Sequence, residues 1–257
     1  MSIFQKYEEK IRKYLSKLSN LNVKNKLKRL VLRIGISSSD EFDLGDREQK
    51  KILFPCHLGI LFLGEYDIIL YENAKSQLER IFDSFFFNIK NLGEFEFSDD
   101  ILIKGVKEEY TKMNETSEKV LLHPTNKFYG VLINERERNH LDMIIAITNL
   151  PIYSSKNENI IFLFGETHLM HQCCVVSTLK LKEQYYGREE DEYLYEKRMK
   201  KEIAHEIGHL ILGPEHCVNG SCIMRFCKDI NEVDHKSLEL CNNCKTILKD
   251  LRVKFNF

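Results

Sequence analysis

The 257-residue sequence is poor in the residues that mark several protein classes. It has no tryptophan, four prolines and twelve glycines, too few for a collagen-like chain or a Gly/Pro-rich disordered one. No apolar run approaches the ~18 residues that a membrane helix requires. The charges nearly cancel, with 38 Lys and Arg against 39 Asp and Glu, which argues against a general nucleic-acid binder. These absences leave a globular chain long enough for one large domain or two small ones.

The N-terminus lacks the pattern of a secretory signal. Its first residues, MSIFQKYEEKIRKY, contain no continuous apolar segment, and a signal peptide needs one. We therefore expect an intracellular, cytoplasmic protein, in whose reducing surroundings structural disulfides are uncommon. Five of the eight cysteines fall within residues 217–244. Their clustering indicates metal binding rather than disulfide formation.

Residues 1–50 differ in composition from the rest of the chain. Up to Arg33 they contain ten Lys and Arg but two acidic residues, and a polar stretch, SSSDEFDLGD, comes next. Apolar residues at helical spacing predict a basic helical extension, joined by a linker to the remainder of the protein. Such an extension either docks a partner or, as basic helical faces more commonly do, covers the edge of the core.

From residue 51 onward, short apolar segments alternate with segments of helical periodicity. Strands are predicted at 59–63, 94–97, 142–148, 160–164 and 173–181, and helices at 72–87, 127–138 and 191–212. The alternation predicts an α/β (α+β) domain over residues 51–257, in which helices pack on a mixed sheet.

The last of these helices contains the sequence H-E-x-x-H. Its two histidines are His205 and His209, and Glu206 directly succeeds the first. Residues four apart on an α-helix lie on one side, one turn apart, so both imidazoles can hold one zinc ion. Glu206 can then accept the proton of a water at that metal as general base.

Further metal-ligating residues come after the helix at close spacing. His216 lies three residues beyond Gly213, and the cysteines after it form two pairs, Cys217 with Cys222 and Cys241 with Cys244. Four thiolates make the closed tetrahedral set that structural zinc prefers. The sequence therefore predicts two zinc ions, one catalytic and one structural.

Three segments carry a family resemblance: HEIGHLILGPEHC, VNGSCIM directly after it and the later CNNC. They resemble the archaemetzincins, a small metzincin family of zinc metallopeptidases. The resemblance covers roughly residues 55–250 and leaves out the first fifty. It implies a metzincin-like fold with a mixed twisted sheet and a long zinc-binding helix. It also implies an N-terminal subdomain over 51–213 and a small C-terminal subdomain over 214–257 that holds the structural zinc.

The resemblance also implies roles for individual residues. By position, Glu206 is the catalytic base, and Met224 forms the Met-turn, a hydrophobic floor beneath the metal. The implied ligands of the catalytic zinc are His205, His209 and His216. The implied ligands of the structural zinc are Cys217, Cys222, Cys241 and Cys244.

The sequence departs from the family pattern before the third histidine. The family has two residues between the second His and the Gly, whereas three separate His209 from Gly213. An ungapped alignment would put Glu215 at the third ligand position, and a carboxylate also binds zinc. We favour His216 because GPEHC keeps the Gly-to-His-to-Cys spacing, and the last turn of the helix can absorb the extra residue.

Other side chains remain open alternatives. Cys227 or His235 replaces a member of the four-cysteine set if one of those cysteines does not bind. His168 and His171, before the strand predicted at 173–181, either line the cleft or lie at the surface.

These features predict a peptidase that hydrolyses peptide bonds of a peptide or protein substrate, with no nucleic-acid or membrane partner. The alternative is a zinc-stabilised protein-binding module with a degenerate, inactive peptidase site. The extra residue before Gly213 and the basic N-terminal segment motivate that alternative. A binding scaffold has no need of Glu206, which favours the enzyme.

Overall fold

A computed structural model describes residue 52 and residues 54–96, 107–113, 116–155 and 163–257, with only the backbone for residues 107–113 and 116–119. The predicted N-terminal extension over 1–50 lies outside these residues, as does most of the strand predicted at 160–164. Among the described residues, no helix has both the length and the apolar composition that crossing a bilayer requires.

Eight strands and five α-helices make up the described part of the chain. In chain order they are β1 (Cys56–Leu63), α1 (Ile68–Ile81), β2 (Phe86–Phe95), β3 (Lys107–Met113), β4 (Thr116–Pro124), α2 (Asn126–Arg138), β5 (Met143–Thr148), β6 (Ile152–Tyr153), β7 (Gly165–His168), β8 (Cys173–Ser177), α3 (Glu192–Leu212), α4 (Ile230–His235) and α5 (Asn242–Phe255). Short 3-10 helices at Leu169–His171, Leu179–Leu181 and Glu183–Tyr186 connect some of them.

A five-stranded mixed sheet lies at the centre, with strands in the order β2-β1-β5-β8-β7. Neighbouring strands are parallel except at one edge, where β7 runs antiparallel to β8. A second, three-stranded sheet has the order β3-β4-β6. The predicted class, a mixed sheet with packed helices, is confirmed.

Helices cover both faces of the central sheet, because its strands are apolar on both sides. Along β8, Cys174 and Val176 join the core beneath α1 and α3, whereas Cys173 and Val175 join the core beneath α2. This is the alternation that strand geometry imposes. The adjacent cysteines are therefore buried on opposite faces, as core residues.

Helix α1 differs from the prediction of a helix over 72–87. It begins earlier because the carboxylate of Asp67 accepts hydrogen bonds from the backbone N–H groups of Ile69 (2.8 Å) and Leu70 (3.0 Å), as an N-cap does. It ends at Ile81, and Ser84 then adopts a positive φ of 68°. The aromatic run after Ser84 enters β2 instead of continuing the helical face.

The strand predicted at 173–181 is shorter in the structure. Strand β8 ends at Ser177, whose hydroxyl donates to the carbonyl of Leu150 (2.7 Å). The N–H of Thr178 then bonds to the carbonyl of Thr148 (2.8 Å), and the chain turns into a 3-10 helix. The apolar residues after Ser177 thus belong to a turn rather than to the sheet.

Helix α3 matches the helix predicted over 191–212. Asp191 caps its start, accepting a hydrogen bond from the N–H of Leu194 (2.9 Å). Gly213 ends it with a positive φ of 108°, a conformation that favours glycine. The helix lies beside β7 and β8 and carries the H-E-x-x-H sequence across the edge of the sheet.

Candidate active site and metal centre

Buried charges on α3 hold it against the segment that contains α4. Arg198 is fully buried and donates to both carboxylate oxygens of Asp234 (2.7 and 2.6 Å), while it also pairs with Glu183 (2.6 Å). The ammonium of Lys201 donates to the carbonyls of Val233 (2.8 Å) and Asp234 (2.9 Å) at the end of α4. These contacts fix the chain that leads on from α4 toward the site.

The structure brings together the three predicted histidines. One ring nitrogen of each of His205, His209 and His216 lies within 4.8 Å of those of the other two, and the Nε2 atoms of His205 and His209 are 3.2 Å apart. The Nδ1 atom of His205 faces the carbonyl of Ile223 (2.9 Å), and that of His209 faces the carbonyl of Gly213 (3.0 Å). A carbonyl oxygen can only accept a hydrogen bond, so the Nδ1 atom that faces it carries the hydrogen. The Nε2 atoms of these two rings then keep lone pairs that can face a metal ion.

The extra residue before Gly213 is accommodated at the end of α3. The N–H of Gly213 donates to the carbonyl of His209 (3.1 Å), so the helix keeps its hydrogen bonding up to the turn. Beyond the turn, His216 joins the imidazole cluster. Glu215, the alternative third ligand, is exposed and belongs to neither group of candidate ligands that the described residues bring together.

Burial favours the neutral form of all three imidazoles. It is the main cause that lowers the pKa of His205 and of His209, and partial burial lowers the pKa of His216 to about 4. The positive charge of Lys236 lowers each of these pKa values further. Because a neutral imidazole is the metal-binding form, the cluster is ready to bind a cation.

Glu206 is buried beside β7. Its carboxylate accepts a hydrogen bond from the hydroxyl of Thr167 (2.5 Å), which also lies 3.0 Å from the backbone carbonyl of Glu206. Burial raises the pKa of Glu206 to about 8, against the opposing effect of the Thr167 bond. A carboxylate with raised proton affinity suits a general base.

A cavity of about 340 Å³ adjoins the three imidazoles and the Glu206 carboxylate; we call it the histidine cavity. Its wall includes Glu166 on β7 and an ion pair between Glu202 and Lys236 (2.7 Å). Both partners of that pair are buried. The cavity therefore combines a candidate metal site with fixed charges in its wall.

Met224 lies against α3, where the family resemblance implies a Met-turn residue. It is buried, and a Cβ atom at Gly208 would come within 2.2 Å of its sulfur atom. Glycine at position 208 therefore permits this close approach. The backbone carbonyl of Met224 also accepts a hydrogen bond from the N–H of Cys217 (2.9 Å), which ties the turn to the cysteines.

The four predicted cysteines form a second cluster. All four are free thiols, and their sulfur atoms lie within 4.8 Å of one another, with Cys217 and Cys241 3.5 Å apart and Cys222 and Cys244 3.7 Å apart. Four thiolates at ~2.3 Å from a zinc ion lie about 3.8 Å apart in a tetrahedron. The cluster thus fits zinc in both donor type and spacing.

The pKa of one of these thiols is depressed. Burial raises the pKa of Cys241, but the backbone N–H of Cys244 and the neighbouring thiols outweigh it through hydrogen bonds and lower the value to about 7. A thiol with a lowered pKa more readily becomes the thiolate that binds metal.

The open alternatives lie outside the two clusters. Cys227 lies in the wall of the histidine cavity and is not a member of the cysteine cluster. His235 is exposed, with its Nδ1 atom 2.7 Å from the carbonyl of Asn231. The ring centroids of His168 and His171 lie 4.5 Å apart, and among the described residues the wall of the cavity includes neither of them.

Several residues of the site were not found from the sequence. Helical spacing could have found Glu202, because it lies four residues before Glu206 on the same side of α3. Gly165, Thr167 and Lys236 come from distant segments, and no local pattern marks them.

Comparison with known proteins identifies the family. The sequence profile of peptidase family M54 matches residues 100–250, more than half of the chain. The archaemetzincin of Methanocaldococcus jannaschii is 35% identical over 109 residues, which are 42% of this chain and 59% of that protein. The archaemetzincin of Saccharolobus solfataricus is 30% identical over 156 residues, 61% of this chain and 80% of that protein.

Solved structures confirm the fold. The crystal structure of archaemetzincin from Methanopyrus kandleri is similar with a TM-score of 0.57 and 21% identity, covering 76% of this chain and 94% of that one. A zinc-dependent peptidase from Methanocorpusculum labreanum also gives a TM-score of 0.57, with 22% identity, covering 74% of this chain and 99% of that one. The chain therefore belongs to peptidase family M54, the archaemetzincins.

Proposed function

We propose that this chain is a zinc-dependent peptidase with Glu206 as its general base. The observation that carries the proposal is the convergence of His205, His209 and His216 beside a buried glutamate, at the wall of the histidine cavity. The three imidazoles are the proposed ligands of a catalytic zinc. The neutral rings and the close approach of one ring nitrogen from each imidazole support that assignment.

Each protein group has a separate part in the proposed reaction. Zinc, when bound, supplies a Lewis acid that polarises the scissile carbonyl and acidifies water. The carbonyls of Ile223 and Gly213 orient the imidazole ligands. Glu206 accepts a proton from the attacking water as the oxygen of that water bonds to the carbonyl carbon. It then delivers that proton to the nitrogen as the carbon–nitrogen bond breaks.

We also propose that Cys217, Cys222, Cys241 and Cys244 hold a second zinc with a structural role. The closed set of four thiols supports this, since a catalytic zinc keeps an open position. The ion would brace residues 214–257 as a small subdomain. Because Cys217 is the residue directly after His216, it would also fix the third ligand of the catalytic site.

A Glu206→Gln variant tests the proposed activity. We expect unchanged zinc content and a loss of peptide cleavage of about 10²–10⁴-fold, because the amide keeps the shape of the side chain but cannot accept the proton. Glu215→Gln is the matched control: it removes an exposed carboxylate near His216 and should retain both zinc and activity. A zinc-loaded Glu206→Gln protein that cleaves peptides at the wild-type rate would overturn the proposal.

A wild-type protein that holds zinc but cleaves no peptide would instead support the binding module. The assay is therefore run on a mixed-sequence library of quenched fluorescent peptides, with cleavage abolished by a chelator as the expected result. Partner binding that survives chelation would be the mark of the module.

A further inference from the structure

We propose that β7 is a positioning strand for the general base. In this role Gly165 leaves room for the Glu206 carboxylate and Thr167 holds it in place, while Glu166 anchors the strand from its other side. The proposal rests on the proposed function, because it assigns a partner to the base that this function requires.

The face of β7 that meets α3 is shaped around Glu206. A Cβ atom at Gly165 would lie 2.7 Å from Oε1 of Glu206, 2.8 Å from its Cγ and 2.9 Å from its Cδ. Contacts this short require one group to move, and the glutamate side chain is the one free to do so. Thr167, two residues along and on the same face, donates its hydroxyl to Oε2 (2.5 Å). One residue thus leaves room for the carboxylate, and the other holds it.

The opposite face of β7 is anchored through Glu166. Its carboxylate accepts hydrogen bonds from the hydroxyls of Thr125 (2.7 Å) and Tyr129 (2.5 Å), and from that of Ser154. Thr125 and Tyr129 belong to the start of α2, and Ser154 comes directly after β6. Since both oxygens are engaged by hydroxyls of the protein, Glu166 acts as a clamp between β7 and these elements.

Strand β7 needs such a clamp because its backbone pairing is limited. It has four residues and lies at the edge of the sheet, and within the described residues β8 is its only strand partner. Because strand pairing in the described part of the chain holds β7 only along the side that faces β8, pairing alone leaves β7 able to shift relative to α3. The clamp on one face and the Thr167 bond on the other fix the distance between β7 and the base.

A Gly165→Ala variant tests the close approach, with Gly130→Ala as the matched control. A Cβ atom at Gly130 meets no atom within 4 Å, so the control should behave as wild type. For Gly165→Ala we expect kcat to fall by about 10²-fold, with KM within about a factor of two of wild type and zinc content unchanged. A crystal structure should show the Glu206 carboxylate displaced from Thr167.

Thr167 variants test the hydrogen bond without adding bulk. Thr167→Val keeps the shape and removes the hydroxyl, so kcat should fall by about tenfold at constant KM and zinc content. Thr167→Ser restores the hydroxyl and should recover wild-type kcat.

For the clamp, Glu166→Ala should lower kcat as well. Its control is Glu135→Ala, which removes a carboxylate that contacts Arg138 and Asn139 on α2 and should leave kcat unchanged.

All variants are assayed with one quenched fluorescent peptide that the wild-type protein cleaves. The positioning role is overturned if Gly165→Ala and Thr167→Val fold, keep zinc and retain wild-type kcat while Glu206→Gln is inactive. That result would leave the proposed function intact. If Glu206→Gln is also fully active, both proposals fail. If Gly165→Ala does not fold, the Val and Ser variants of Thr167 decide the question alone.

Discussion

Gly208 illustrates how a single residue sets the packing of the helix that carries the proposed metal ligands. It stands between Glu206 and His209 on α3, and its missing side chain makes room for Met224. The sulfur atom can then lie directly against the helix at this position. A side chain at this position would push apart two elements that each carry part of the site.

We therefore predict that Gly208→Ala destabilises the protein. The added methyl group overlaps the Met224 side chain, and overpacking of this kind costs about 1–3 kcal/mol, which exceeds the gain in helix propensity of about 1 kcal/mol. Urea unfolding of the zinc-loaded protein measures the effect. Gly130→Ala on α2 gains the same propensity without the overlap and should be neutral or stabilising. Equal stability of the two variants would contradict the packing account.

At the scale of elements, α3 and the segment after it are joined by buried charges. Arg198 and Lys201 hold α4, and Glu202, directly after Lys201 on α3, pairs with Lys236. A buried ion pair is weak evidence for stability by itself, because desolvation offsets much of the attraction. Its consequence is positional: the segment after Met224 is aligned with the helix that carries the imidazoles.

A double-variant cycle tests the Glu202–Lys236 pair. Lys236→Met leaves the carboxylate of Glu202 buried and unpaired, so the free energy of unfolding should fall by about 3–5 kcal/mol. The combined Lys236→Met and Glu202→Met variant removes both charges and should recover most of that loss. Urea unfolding of zinc-loaded wild-type, single and double variants provides the comparison. A double variant no more stable than Lys236→Met would contradict the pairing.

The elements also show what local sequence can predict. Helix α3 could be predicted with nearly correct ends, because an aspartate cap, acidic residues at its start and Gly213 at its end are all local signals. The end of α1 could not, because the aromatic side chains after Ile81 fit a helical face equally well. The choice between helix and strand there depends on pairing with β1, which is a contact between distant segments.

The site divides in the same way. The grouping of the three histidines and that of the four cysteines could be predicted, because metal ligation demands characteristic spacings. The roles of Thr167 and Glu166 could not, because their side chains contact residues 12 to 41 positions away. Those contacts exist once the sheet has formed.

At the scale of the whole molecule, the two clusters of candidate ligands share one stretch of chain. His216 and Cys217 are adjacent, and the N–H of Cys217 bonds to Met224. A zinc ion held by the cysteine cluster would therefore fix the loop that contains His216. Cys244, in the first turn of the C-terminal helix α5, belongs to the same cluster.

We predict that Cys222→Ala removes the structural zinc. Zinc per chain should fall by at least about one, and the free energy of unfolding by at least about 3 kcal/mol, because three thiolates no longer close the site. Metal analysis and thermal unfolding measure the two effects. Cys227→Ala, which removes a thiol outside the cluster, should keep both zinc ions. Identical zinc content in the two variants would contradict the four-cysteine assignment.

The most direct test of a two-zinc peptidase is the number of zinc ions per chain, measured on purified wild-type protein and on a His216→Ala variant. We predict about two zinc ions in the wild type and about one in the variant, with peptide cleavage lost together with the missing ion. Two zinc ions in both proteins would contradict the assignment of His216. A single zinc ion in the wild type would contradict the presence of separate catalytic and structural sites.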